Sequence, residues 1–173
     1  MPEHQHWCGA VIAAALIGGL VPARAQQPAE AVPAQTPFNV PYGPPITLER
    51  AQAAIQAAMA EATKRGWPLV IAVVDSGANL VAFARMDGAP LGSIAVAQHK
   101  ARASAKFRRP TKVFEDAVAR GELRVLSIDD TIASRGGIPL IEDGKLIGAI
   151  GCSGGVGPQE EIVCGVGAAA IGK

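Results

Sequence analysis

Six cations crowd one short stretch of the sequence: Lys100, Arg102, Lys106, Arg108, Arg109 and Lys112, with His99 immediately before the first. On a helix, Arg102, Lys106 and Arg109 fall at i, i+4 and i+7. They would then share a face that can clamp a carboxylate, although a solvated charged face is the simpler reading. A neutral imidazole is also a suitable nitrogen ligand for haem iron, and cations one or two turns away can pair with the two propionates. His99 is therefore a candidate metal ligand, with Arg102, Lys106 and Arg109 as propionate partners, while a lone histidine also serves as an ordinary surface or core residue. Met86 and Tyr42 are weaker axial candidates, and Lys100 would need a depressed pKa to ligate.

Other motifs point to less. Gly151-Cys152-Ser153-Gly154-Gly155 matches G-x-S-x-G, but no histidine follows Ser153, as the hydrolase fold that uses this elbow requires. The same glycines resemble a phosphate-cradling turn, yet G-x-G-x-x-G and G-K-[ST] are absent, and Glu160 and Glu161 would compete for the helix dipole. Tight turning and close backbone approach are the favoured roles for these glycines. Asp75 and Asp87 can in principle act as acid and base, but each reads more naturally as a turn former.

The chain has 173 residues, 49% apolar and 18% charged, with 16 Lys+Arg against 15 Asp+Glu. No overall positive field exists to hold a polyanion, and with 4% aromatic residues little base-stacking surface is available, so general nucleic-acid binding is excluded. Residues Trp7 to Val21 are uncharged and lead to Ala23-Arg24-Ala25. Residues 1–25 thus read as a cleaved signal peptide, with a periplasmic or secreted product and no stable membrane span; an uncleaved anchor is the alternative, because the first six residues hold no Lys or Arg. Cleavage would remove Cys8, His4 and His6 and leave Cys152, Cys164 and His99, with neither C-x-x-C nor H-x-x-x-H to suggest zinc. The two cysteines either pair in an oxidising compartment or remain buried thiols; geometry decides.

The elements that must position these residues follow from periodicity. Residues 26–45 hold six prolines and read as an extended linker, so the folded domain is expected to begin at Ile46. Thr47 can cap a helix from Leu48 to Arg65, ended by Gly66. Leu69 to Val74 and Leu80 to Arg85 form a hairpin, Leu91 to Phe107 an Ala-rich helix, and Thr111 can cap a shorter helix through Arg120. A short strand is expected at Thr131 to Ser134, then a hairpin of Ile138 to Glu142 and Lys145 to Ser153 about Asp143-Gly144, then a helix from Pro158 to about Ile171. Such tight hairpins demand an antiparallel sheet with helices packed on it, an α+β arrangement.

Several of these pieces carry a resemblance. Ala72-Val73-Val74-Asp75, Arg85-Met86-Asp87-Gly88-Ala89, Lys100-Ala101-Arg102, Arg109-Pro110-Thr111, Arg135-Gly136-Gly137-Ile138-Pro139 and Gly148-Ala149-Ile150-Gly151 through Ser153-Gly154 occur in order. Over Ile46 to Lys173 the chain resembles the GlcG/HbpS-like haem-binding family, which also supplies the C-terminal domain of PduO proteins. The resemblance implies a profilin-like α/β sandwich with a central antiparallel sheet of about five strands, self-association, and binding of haem or a related tetrapyrrole. Members are described as haem-binding, haem-degrading or sensory accessory proteins. An accessory, storage or sensing role is expected more than catalysis; haem degradation or small organic acid or aldehyde metabolism is the alternative. The residue before Lys-Ala-Arg varies in the family, so the assignment of His99 rests on chemistry. Pro158-Gln159-Glu160-Glu161 also departs from the usual Glu-Gln-Asp after the final glycines.

Overall fold

The structure is a computed structural model in which residues 40–171 are described. The expected leader, and the part of the proline-rich segment before Val40, lie outside the described residues. Thr47 adopts extended backbone and accepts the Arg50 N–H, starting α1 (Leu48–Arg65), and Gly66 at φ 69° ends it. The β-branched run that follows forms β1 (Val70–Asp75), and β2 (Leu80–Arg85) returns beside it. Asp75 shapes the turn as expected, its Oδ1 accepting the N–H groups of Gly77 and Asn79 at 2.8 and 2.9 Å.

Helix α2 (Ser93–Phe107) and α3 (Lys112–Ala119) follow, then a 3₁₀ segment at Leu123–Ser127. Strands β3 (Gly137–Glu142) and β4 (Lys145–Ser153) join through Asp143 and Gly144, at φ 48° and 71°, the left-handed pair that a type I′ turn requires. Helix α4 (Gly157–Ala169) closes the described chain. Among the described residues no helix is long and apolar enough to cross a membrane.

The sheet is antiparallel throughout, in the order β2-β1-β4-β3. It has four strands among the described residues, not about five. Residues Thr131 to Ser134 do not pair as a strand; Thr131 Oγ1 turns back to the carbonyls of Val125 and Ile128, and the Ser134 carbonyl accepts from Thr111 Oγ1 at 2.7 Å. A side-chain hydroxyl thus satisfies the Ser134 carbonyl that a ladder would have used. Thr111 itself is not the expected cap. Its hydroxyl is fully buried and accepts the Gly137 N–H at 2.9 Å, tying the start of α3 to β3.

Alternation along residues 69–74 divides the core into two. Leu69, Ile71 and Val73 meet Ile147 and Ile150 under α1 and α4, while Val70, Ala72 and Val74 face Ala97, Ala101 and Ala105 of α2. A disulfide joins Cys152 of β4 to Cys164 of α4, with their Cα atoms 5.8 Å apart, inside the first of these cores.

The chain joins the fold ahead of Ile46. Leu146 N–H donates to the Pro41 carbonyl at 2.8 Å, and Gly43 N–H donates to the Leu146 carbonyl at 2.7 Å. Arg108 donates to the Val40 carbonyl at 3.0 Å and lies 5.2 Å from the centre of the Tyr42 ring. Residues 40–45 therefore form a strap on the domain rather than the end of a linker.

Candidate functional site

Helix α2 carries the candidate residues, and glycines set how closely it lies. A Cβ added to Gly151 would sit 2.2 Å from the Ala97 carbonyl oxygen, and one added to Gly137 would sit 2.4 Å from that of Lys100. The helix backbone therefore rests on β3 and β4, with Ala97, Ala101 and Ala105 fully buried beneath it. Gln98, His99, Arg102 and Lys106 remain on the other side, buried only in part or exposed.

Asp130 gathers this outer face. Lys106 Nζ is 2.5 Å from Asp130 Oδ2, and His99 Nε2 is 3.2 Å from the Asp130 backbone oxygen. The hydrogen bond from Lys106 holds the Asp130 carboxyl below its ordinary range, helped by the charges of Lys106, His99 and Arg102. A carbonyl can only accept, so Nε2 carries a proton; in the neutral ring the lone pair then resides on Nδ1. Such a bond fixes ring orientation. Arg102 donates to Gln98 Oε1 at 3.2 Å.

The other cations of the run have separate duties. Lys100 is 1% exposed and forms a 2.5 Å pair with Glu160, whose second oxygen accepts the Gly154 N–H at 2.9 Å. This buried pair links α2, the Gly-rich turn and α4, so Lys100 is committed as a structural cation. Gly154, at φ 132°, also approaches Pro68 and Leu69 too closely for a side chain, which supports the packing role for these glycines. Lys112 pairs with Asp116 at 2.5 Å. Tyr42 OH donates to the Lys106 carbonyl at 2.9 Å.

Arg109 does not share the face of Arg102 and Lys106. Arg108 adopts φ 53° and ends α2 at Phe107, so the helical spacing stops before Arg109 is reached. Arg109 instead lies 6.0 Å from the centre of the Phe114 ring, and its Nε–H donates to the Phe107 carbonyl at 3.1 Å. Met86 is also elsewhere. It packs against the core under α1 and α4, across the sheet from α2, so Met86 and His99 are not brought together within one chain. The structure thus unites His99, Arg102 and Lys106 and separates Arg109 and Met86 from them.

Sequence reasoning missed two groups. Asp130 carried no motif, and its role depends on a loop returning across 24 to 31 residues. Arg135 pairs with Glu115 at 2.6 Å and Glu161 at 3.3 Å, joining α3 to α4. The Arg135 hydrogen bond is the main cause lowering the Glu115 carboxyl below its ordinary value.

Comparison with known proteins adds to this geometry. A family model for haem-degrading HbpS-like proteins matches residues 46–169. Protein GlcG of Escherichia coli strain K12 is 38% identical over 109 residues, covering 62% of this chain and 81% of GlcG. A double mutant of HbpS from Streptomyces reticuli aligns at 31% identity and a TM-score of 0.70, covering 84% of this chain and 100% of that one. The haem complex of PduOC aligns at 27% identity and a TM-score of 0.67, covering 73% of this chain and 95% of that one.

Proposed function

Because the chain belongs to the HbpS-like family, we propose that it is an exported haem-binding protein with an accessory, storage or sensing role. The observation that carries this reading is the likeness to PduOC, which was solved with haem. The chemistry of the outer face of α2 fits such a group. His99 offers an imidazole nitrogen oriented by a backbone carbonyl, and Arg102 and Lys106 offer two cations one and two turns along for a dianion. When bound, haem would supply a redox-active iron; the protein would hold and orient it through His99 and balance its propionates. Met86 would serve only if supplied by a second copy.

Export through the leader and self-association belong to the same proposal. Leu80 and Phe83 are exposed on the edge strand β2, beside a groove of about 570 Å³ against α1, which supports an interface between copies.

Haem titration followed through the Soret band tests the reading. Wild type is expected to give a ligand-dependent shift that His99→Ala alters. Identical spectra and affinity would remove His99 as ligand, and no binding by either protein would remove the function. A haem-degrading activity is the second reading, favoured by the description of the matching family. Loss of the Soret band on addition of a reductant in air, with an open-chain tetrapyrrole as product, would select it over storage.

A further inference from the structure

A second site lies beyond the end of α2. A groove of about 580 Å³, within the usual range for small-ligand pockets, opens between Phe107, α3 and the 3₁₀ segment. Its floor is an edge-to-face aromatic pair, Phe107 and Phe114, with ring centres 5.2 Å apart and planes at 75°, extended by Val113, Val125 and Ile128. Three guanidinium groups, Arg109, Arg120 and Arg124, line it with a single carboxylate, Glu122, which Arg120 holds at 2.9 Å. Beyond the Arg120–Glu122 pair, the lining therefore presents the Arg124 guanidinium over an apolar floor. Arg124 has no carboxylate partner among the described residues. Burial, and then the adjacent Arg108 charge, pull the Arg109 guanidinium below its ordinary value.

We propose that this groove binds a small aromatic monocarboxylate, its ring against Phe107 and Phe114 and its carboxylate between Arg109 and Arg124. Guanidinium forks match a carboxylate in a way that a single ammonium does not, and the apolar floor discriminates against a bare inorganic anion. The site is separate from the His99 face, so it stands or falls independently of the haem proposal.

Titration calorimetry of the purified protein with phenylacetate, 2-phenylethanol, acetate and inorganic phosphate tests it. Phenylacetate is expected to bind at least about tenfold more tightly than the other three, the discrimination available from one charge-assisted hydrogen-bond set. Arg124→Ala, at an exposed position, should lower that affinity about tenfold without changing the melting temperature. Ser127→Trp, which fills the groove from its lining, should abolish binding while the fold is retained. His99→Ala should bind phenylacetate as wild type does. Equal binding of the neutral alcohol or of phosphate, an unchanged affinity in Arg124→Ala, or loss of binding in His99→Ala would each overturn the proposal, as would absence of phenylacetate binding.

Discussion

Replacing Lys100 by Met should destabilise the domain by about 3–5 kcal/mol, the range for removing one member of a buried ion pair. The magnitude follows from the surroundings of Glu160. The two side chains are 1% and 5% exposed, and without the ammonium the carboxylate keeps only the Gly154 N–H as a described hydrogen-bond donor. Glu160→Leu should cost a similar amount, because it leaves a dry ammonium and an unpartnered Gly154 N–H. The double variant Lys100→Met/Glu160→Leu removes both charges and should lie within about 1–2 kcal/mol of wild type, the remainder being the lost Gly154 bond. Urea denaturation of all four proteins gives the cycle, with equal m-values required before free energies are compared. Single variants costing less than about 1 kcal/mol, or a double variant costing the sum of the singles, would refute a tightly coupled buried pair. Lys100→Met should also leave any haem spectrum unchanged, since this side chain faces away from His99.

Gly151→Ala should prevent folding or cost more than about 3 kcal/mol, because its Cβ would meet the α2 backbone, whereas Gly144→Ala, with nothing within 4 Å but φ at 71°, should cost about 1 kcal/mol; thermal melts of soluble protein separate them. Reducing the Cys152–Cys164 bond should lower stability by about 3 kcal/mol and the melting temperature by about 10 °C, measured by calorimetry on wild type and a Cys152→Ala/Cys164→Ala variant. The Glu115 pKa is lower folded than unfolded, so its contribution is present above its ordinary value of 4.5 and is lost as pH falls through the lower folded value; Glu115→Gln should flatten stability against pH in that acid range. Asp130→Ala releases Lys106 and removes a competing carboxylate, so haem affinity measured by Soret titration should rise by about twofold to fivefold.

Local chemistry made much of the fold legible. Thr47 and Gly66 mark the ends of α1, and Asp143-Gly144 marks the hairpin, because each acts on neighbours a few residues away. Thr111 misled for the opposite reason: its hydroxyl prefers Gly137 and Ser134, more than 20 residues distant, to the helix it precedes. The run of six cations was visible, but its partition was not. Lys100 faces Glu160 across 60 residues, and the left-handed turn at Arg108 sends Arg109 elsewhere without a glycine to announce it. Binding of haem as an expectation came from the residues together with the resemblance; the Asp130 contacts came only from the fold.

The glycine-lined seat of α2 also divides the helix into positions that can and cannot be rewritten. Bulk added at Ala97 or Ala101 would push the helix off the sheet, so those letters are fixed by geometry. Gln98, His99, Arg102 and Lys106 lie on the other side of the same rigid rail. A library confined to those four positions would therefore probe the proposed ligand face while sparing the core, making α2 an exchangeable cassette on a scaffold held to a single register.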